Sequence, residues 1–131
     1  SLPIAQTLAE HEDIEVIVLG GKVRKNTMAM VDAETIASLE SFSVDTLFIS
    51  TDGLSPEVGL TTPYRQEAGL KQAMIQSARR VVALVDHSKF AKDQFARFAE
   101  WSDVDVLITT TEADSDVIER IEALGTTVLQ A

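Results

Sequence analysis

The stretch Val81-Val82-Ala83-Leu84-Val85-Asp86-His87-Ser88-Lys89-Phe90 decides how this chain is read. An apolar run of strand length, mostly valine, ends abruptly on a carboxylate, and a lysine follows closely. Continuous apolar, β-branched runs describe strands covered on both faces, as in a parallel sheet. In open α/β sheets, ligands gather at the carboxyl ends of the strands. Asp86 and Lys89 therefore either wall a pocket or form a surface salt bridge, usually worth ~0–1 kcal/mol.

Working outward, three further runs have the same character: residues 14–19 (IEVIVL), 44–50 (VDTLFIS) and 104–110 (VDVLITT). Residues 126–130 (TTVLQ) add an edge strand. Helical patterns fall between them. Leu2, Ile4, Ala5 and Leu8 mark a first helix, with Ser1 as cap and Pro3 in the opening turn. Residues 33–39 make a second. A third takes Thr62 as cap and Pro63 as first residue, then runs over 64–79 with Leu70, Met74 and Ala78 on one face. The fourth, 114–124, has acids at its start and Gly125 at its end. Strand and helix alternate, so the expected fold is α/β, a mainly parallel sheet flanked by helices, in one unit over 1–131. Residues 90–101 fit no clear pattern; Phe95, Phe98 and Trp101 read as core or interface.

The bulk numbers narrow the function. At 131 residues, 45% apolar and 24% charged, the chain has the composition of one globular domain. No apolar run approaches membrane-spanning length. The absence of cysteine removes disulfide and thiolate chemistry and fits a cytoplasmic location. Eleven basic against 21 acidic residues give a net charge of −10, a field that repels a phosphate backbone. A small anion is still admissible, because local donors outweigh a screened global charge. Two separated histidines without cysteine do not suit zinc, and GxSxG, Walker A and GxGxxG patterns are absent. Neither metal nor cofactor is expected. The opening Ser-Leu-Pro-Ile-Ala lacks a signal pattern and reads as a fragment starting at the mouth of a helix.

Small, polar and charged residues follow each strand. Gly20-Gly21 is most simply a turn, and alternatively a pair of amides facing an anion beside the fork of Arg24. Asp52-Gly53 is a common turn pair, or a carboxylate for sugar hydroxyls. Glu67 forms an i,i+4 pair with Lys71 and extends the apolar stripe of Leu70, Met74 and Ala78. Uncompensated burial of that carboxylate costs several kcal/mol, so it must meet a cation or a ligand hydroxyl. Amides around Thr61 and Thr62, at the expected helix start, offer an anion site. Lys89 serves a phosphate or carboxylate as a point charge.

In order and spacing, Ser1-Leu2-Pro3-Ile4-Ala5, Gly20-Gly21-Lys22-Val23-Arg24, Thr51-Asp52-Gly53-Leu54, Gly59-Leu60-Thr61-Thr62, Glu67 with Lys71, and Val85-Asp86-His87-Ser88-Lys89-Phe90 resemble the sensor domain of the DeoR family of bacterial transcriptional repressors. The resemblance covers nearly the whole chain. It implies a fold similar to ribose-5-phosphate isomerase and the CoA transferases, with the family's first strand and phosphate loop preceding Ser1. It also implies that a phosphorylated sugar or related metabolite binds and alters the grip of an absent N-terminal winged helix-turn-helix on operator DNA. The resemblance assigns ligand binding to Ser1, Gly20, Gly21, Arg24, Asp52, Gly53, Thr61, Glu67, Lys71, Asp86 and Lys89, with no catalytic residue, in a homo-oligomer away from membranes. The family usually has glycine at Asp32 and aspartate near Thr110. Two alternatives stand beside this. One is a sugar-phosphate isomerase with Glu67 as base and Lys89 stabilising enediolate charge, against which the isomerases' glycine-rich stretch is reduced here to Glu57-Val58-Gly59-Leu60. The other is a plain oligomerisation domain.

Overall fold

The computed structural model describes residues 1–25 and 27–131. In chain order its elements are α1 (Leu2–Leu8), β1 (Val23–Arg24), β2 (Ala29–Met30), α2 (Ala33–Leu39), β3 (Leu47–Ile49), β4 (Gly53–Ser55), β5 (Gly59–Thr62), α3 (Arg65–Gln76), β6 (Val81–Leu84), β7 (Ala96–Ala99), β8 (Val106–Thr109), α4 (Ser115–Ala123) and β9 (Thr127–Gln130). The expected parallel sheet is present, in the order β3-β6-β8-β9. Its register sets Ile49, Ala83, Leu107 and Val128 in one row. Ala83 and Leu107 are fully buried there and cluster with Ala68 of α3 and Ile121 of α4. Each large aliphatic side chain so covered stabilises the fold by about 1.5–3 kcal/mol. The boundaries of α4 follow its local chemistry: the Asp114 carboxylate accepts the Asp116 and Val117 amides, and Gly125 ends the helix at φ +100°.

A second sheet, antiparallel β4-β5-β7, stands beside the first. Sequence periodicity does not reveal it, because its buried side chains are partly polar. Thr51 and Thr61 are both buried. The Thr51 hydroxyl donates to the Thr61 carbonyl (2.7 Å) and accepts the Thr61 amide (3.1 Å). The Thr61 hydroxyl donates to the Gly53 carbonyl (3.0 Å) and accepts the Gln94 amide (2.9 Å). Gly53 is required by crowding, since a Cβ there would lie 1.8 Å from the Lys92 carbonyl oxygen. Phe98 and Trp101 join the core, with the Trp101 indole donating to the Ser55 carbonyl (2.9 Å), whereas Phe95 is 84% exposed.

Two expectations need correction. Residues 14–19 form no strand: among the described residues they have no β-ladder partner, and Ile14, Ile17 and Val18 are exposed. A strand exists only where its amides and carbonyls meet a neighbouring edge. The third helix begins at Arg65, with Tyr64 at the N-cap position and making no side-chain cap, not at Thr62-Pro63. Thr62 is the last residue of β5 and spends its hydroxyl on Asp52 (2.8 Å), so it is not free to cap.

Candidate functional site

The polar groups that follow the strands form two clusters. The first lies where β3 ends beside the opening of α3. Glu67, in the first turn of α3, carries an ion pair on each oxygen, with Arg24 of β1 on Oε2 and Lys71 on Oε1 at 3.3 Å. The Lys71 ammonium also donates to the Ser50 carbonyl (2.8 Å) and sits 4.8 Å from the centre of the Phe98 ring. The Arg24 guanidinium covers the Tyr64 ring at 4.1 Å. The three charged side chains are 12–21% exposed. Two cations share one carboxylate, leaving one surplus positive charge in a chain of net charge −10. Such part-buried charges are screened far less than surface ones.

Helix geometry explains the meeting. Glu67 and Lys71 lie one turn apart on the inner stripe of α3, and the Lys71 stem passes over Phe98 of β7 to reach the end of β3. Asp52, half-buried just after β3, accepts the Thr62 hydroxyl. Tyr64, Phe98 and the Ser50 carbonyl were not foreseen as parts of this cluster. The sequence held one cue to Tyr64, its position within one helical turn of Glu67.

The second cluster follows β6. Asp86 caps a single 3-10 turn over His87–Lys89, and its carboxylate accepts the Ser88 amide (2.9 Å). Hydrogen bonding by Ser88, with a smaller contribution from the Lys89 charge, holds the Asp86 carboxyl below its ordinary range. Of the two alternatives for Asp86 and Lys89, the surface salt bridge does not form, because the cap folds the carboxylate back onto the chain. Lys89 is half-buried and has no ion-pair partner among the described residues. The His87 amide donates to the Thr110 hydroxyl (3.2 Å), which also lies 2.8 Å from Nδ1 of the same histidine. β3 and β6 are parallel neighbours, and Phe90 bridges to Leu54, so the clusters share one side of the fold. None of Asp52, Glu67 and Lys89, however, lines any of the principal cavities among the described residues.

The glycine loop is occupied from within. Asp32 accepts the Lys22 amide (2.6 Å), the Thr35 amide (3.0 Å) and the Thr35 hydroxyl (2.9 Å). Hydrogen bonds from the Thr35 and Lys22 amides lower its pKa. Gly21 has φ +139°, and a Cβ there would meet Thr35 Oγ1 at 2.2 Å, so glycine is required. Gly20 presents its carbonyl to the Thr35 hydroxyl (2.9 Å). Ser1 lines an apolar cavity of about 270 Å³ with Ile4, Ala5, Met30 and Met74, a lining that does not include Arg24, Glu67 or Lys71. The groups of Gly53 and Thr61 are spent inside the antiparallel sheet, and the helix-start amides expected at Thr61 and Thr62 belong to a strand. Among the described residues there is no cluster of histidine, cysteine or carboxylates able to hold a metal, and no helix long and apolar enough to cross a membrane.

Comparison with known proteins gives a consistent picture. The family model described as the DeoR C terminal sensor domain matches residues 1–111. An HTH-type transcriptional regulator GlpR of Haloferax volcanii is 39% identical over 119 residues, 91% of this chain and 47% of the relative. The HTH-type transcriptional repressor GlcR of Bacillus subtilis is 36% identical over 123 residues, covering 92% and 47%. A glycerol-3-phosphate regulon repressor of Escherichia coli is 27% identical over 119 residues, covering 91% and 47%. The chain thus spans about half the length of these relatives.

Proposed function

This chain belongs to the family of DeoR C-terminal sensor domains, and from that premise we propose that it senses a phosphorylated sugar or a related small phosphorylated metabolite. Its relatives are named transcriptional regulators and repressors. In the proposed scheme the effector sits at the carboxyl ends of β3 and β6. Arg24 and Lys89 meet anionic oxygens, while Asp52 and Glu67 accept hydroxyls and Lys71 holds Glu67 in place. Occupancy changes DNA binding by a helix-turn-helix part outside residues 1–131. The full protein is proposed to act in the cytoplasm as a homo-oligomer.

The observation that carries this reading is the Arg24–Glu67–Lys71 cluster, a part-buried group with one surplus positive charge beside the strand ends. The name of the Escherichia coli relative, tied to a glycerol-3-phosphate regulon, supports a small phosphorylated polyol as the class of ligand. An isomerase is less well supported, since the relatives are named transcriptional regulators and repressors. The test is thermal denaturation of the full-length protein against sn-glycerol 3-phosphate, ribose 5-phosphate, fructose 1-phosphate, glucose 6-phosphate and inorganic phosphate. A binder at one hundred times Kd adds about 2.7 kcal/mol. A flat response to all of them refutes effector sensing, and turnover of an aldose phosphate that disappears in Glu67→Gln revives the enzyme.

A further inference from the structure

The two cations on Glu67 are held very differently. Lys71 is fixed at three points: the Glu67 carboxylate, the Ser50 carbonyl and the Phe98 ring. Glu67 and Phe98 belong to α3 and β7, Ser50 directly follows β3, and Lys71 leaves that place only by abandoning every one of them. Arg24 belongs instead to the short β1–β2 hairpin, whose strands pair over two residues each, Val23 with Met30 and Arg24 with Ala29. Its guanidinium reaches α3 through Glu67 and the face of Tyr64, a ring that is itself 53% exposed.

The hairpin has two other attachments. At its base, Asp32 grips the Lys22 amide next to Gly21, whose positive φ makes a natural pivot. On its far side the Met28 carbonyl accepts the Leu2 amide of α1 (2.9 Å). Ala29 and Met30 of β2 also line the same apolar cavity as Ile4, Ala5 and Leu8 of α1. Met28 has φ +50°, a conformation that persists in a non-glycine residue only where its surroundings enforce it. The hairpin is thus fastened to α3 at one end and to α1 at the other.

We infer that Arg24 is a latch: its pair with Glu67 holds the paired strands β1 and β2 against α3, and release of that pair is passed through Met28 and Met30 to α1. The ligand step rests on the effector reading given above. A phosphate offers the guanidinium a bidentate partner, while Glu67 keeps its charge partner in Lys71. Exchange of Arg24 from carboxylate to phosphate therefore leaves no part-buried charge alone. The effector biases the hairpin because it binds the released arrangement better than the fastened one.

The chain has three methionines, and the structure places two, Met28 and Met30, on the hairpin and the third, Met74, on α3. Methionine methyl-carbon NMR of the 131-residue chain, read with the Leu2 amide resonance, tests the latch without any ligand. Arg24→Gln and Glu67→Gln are expected to displace the Met28 and Met30 methyl resonances and the Leu2 amide together, by several linewidths. Lys71→Gln, which does not touch the hairpin, leaves them in place. Hairpin resonances unmoved in both Arg24→Gln and Glu67→Gln overturn the latch. Should a variant fail to fold, the unsubstituted chain titrated with ribose 5-phosphate and, separately, inorganic phosphate gives the second reading. A compound that raises Tm yet leaves Met28, Met30 and Leu2 unmoved overturns the coupling and keeps effector sensing. Hairpin movement in the variants, with no compound binding, keeps the latch and overturns effector sensing.

Discussion

Replacing Glu67 with glutamine removes the only charge that Arg24 and Lys71 share while keeping the side chain's shape. Opposite unit charges 3.3 Å apart, the Lys71–Glu67 separation, attract by about 5 kcal/mol at an effective dielectric of about 20, before desolvation is subtracted. Exposed pairs retain ~0–1 kcal/mol of such attraction, and removing one partner of a buried pair costs about 3–5 kcal/mol. With side chains 12–21% exposed, this cluster lies nearer the buried limit. The amide oxygen of glutamine can still accept one hydrogen bond, so the expected loss is about 2–3 kcal/mol. An unfolding entropy of about 2.1 cal/mol/K per residue makes 1 kcal/mol worth roughly 4 °C in a chain of this length. Tm should therefore fall by roughly 7–11 °C in a calorimetric or fluorescence melt. Lys71→Met is the control: Glu67 keeps Arg24, and the thioether packs on Phe98, so its loss should stay within about 1 kcal/mol. A Glu67→Gln Tm within about 2 °C of the unsubstituted protein would mean a solvated surface pair and refute the reasoning.

Two glycines should respond in opposite ways. Gly53→Ala drives a Cβ into the Lys92 carbonyl and should cost about 2–3 kcal/mol in urea denaturation. Gly69→Ala, on α3 with open space around the new methyl, should raise Tm by about 3–4 °C through helix propensity. Leu107→Ala, at the fully buried centre of the parallel sheet, should cost about 3–4 kcal/mol by the same urea assay. Asp32 sets part of the acid limb. Its pKa is lowered in the folded state by the Thr35 and Lys22 amides, so its stabilisation is present above the unfolded carboxylate pKa and is lost as pH falls through the folded value. Denaturation midpoints measured between pH 6 and pH 3 should fall less steeply in Asp32→Asn; an unchanged slope refutes that assignment.

The parallel sheet was legible because its strands are apolar on both faces and β-branched, and α4 because Asp114 and Gly125 mark its ends. Residues 14–19 carry the same apolar signal yet form no strand, since pairing depends on a partner edge that a run's own composition does not encode. The antiparallel sheet was hidden for the opposite reason. Its buried Thr51, Thr61 and Thr62 are satisfied by neighbours about ten residues away, and no local pattern records that. Of the candidate site, that Glu67 needs a partner followed from a simple cost: a carboxylate on an apolar stripe requires a cation or a ligand hydroxyl, and Lys71 stood one turn on. What the stripe could not supply was Arg24, 43 positions away across a hairpin. Sequence proximity left an Asp86–Lys89 pair open as one alternative, but a backbone amide two residues on competes better for a capping carboxylate.

The charge distribution bears on which ligands this fold admits. A net charge of −10 opposes any extended polyanion, which must lie along the surface and meet many acids at once. A single phosphate group meets only what lies within a Debye length, about 8 Å at physiological ionic strength. Arg24 and Lys71 share Glu67, with Asp52 just past the Ser50 carbonyl that Lys71 meets, whereas the acids of α4 belong to the other end of the sheet order, beside β9. Under the proposed function the net negative charge and the cationic cluster are compatible: the first disfavours nucleic acid on this chain, and the second admits a small anion. On that argument DNA contact and effector contact require separate surfaces. The proposed latch supplies one such link, since the hairpin contacts α3 through Arg24 and α1 through the Met28 carbonyl.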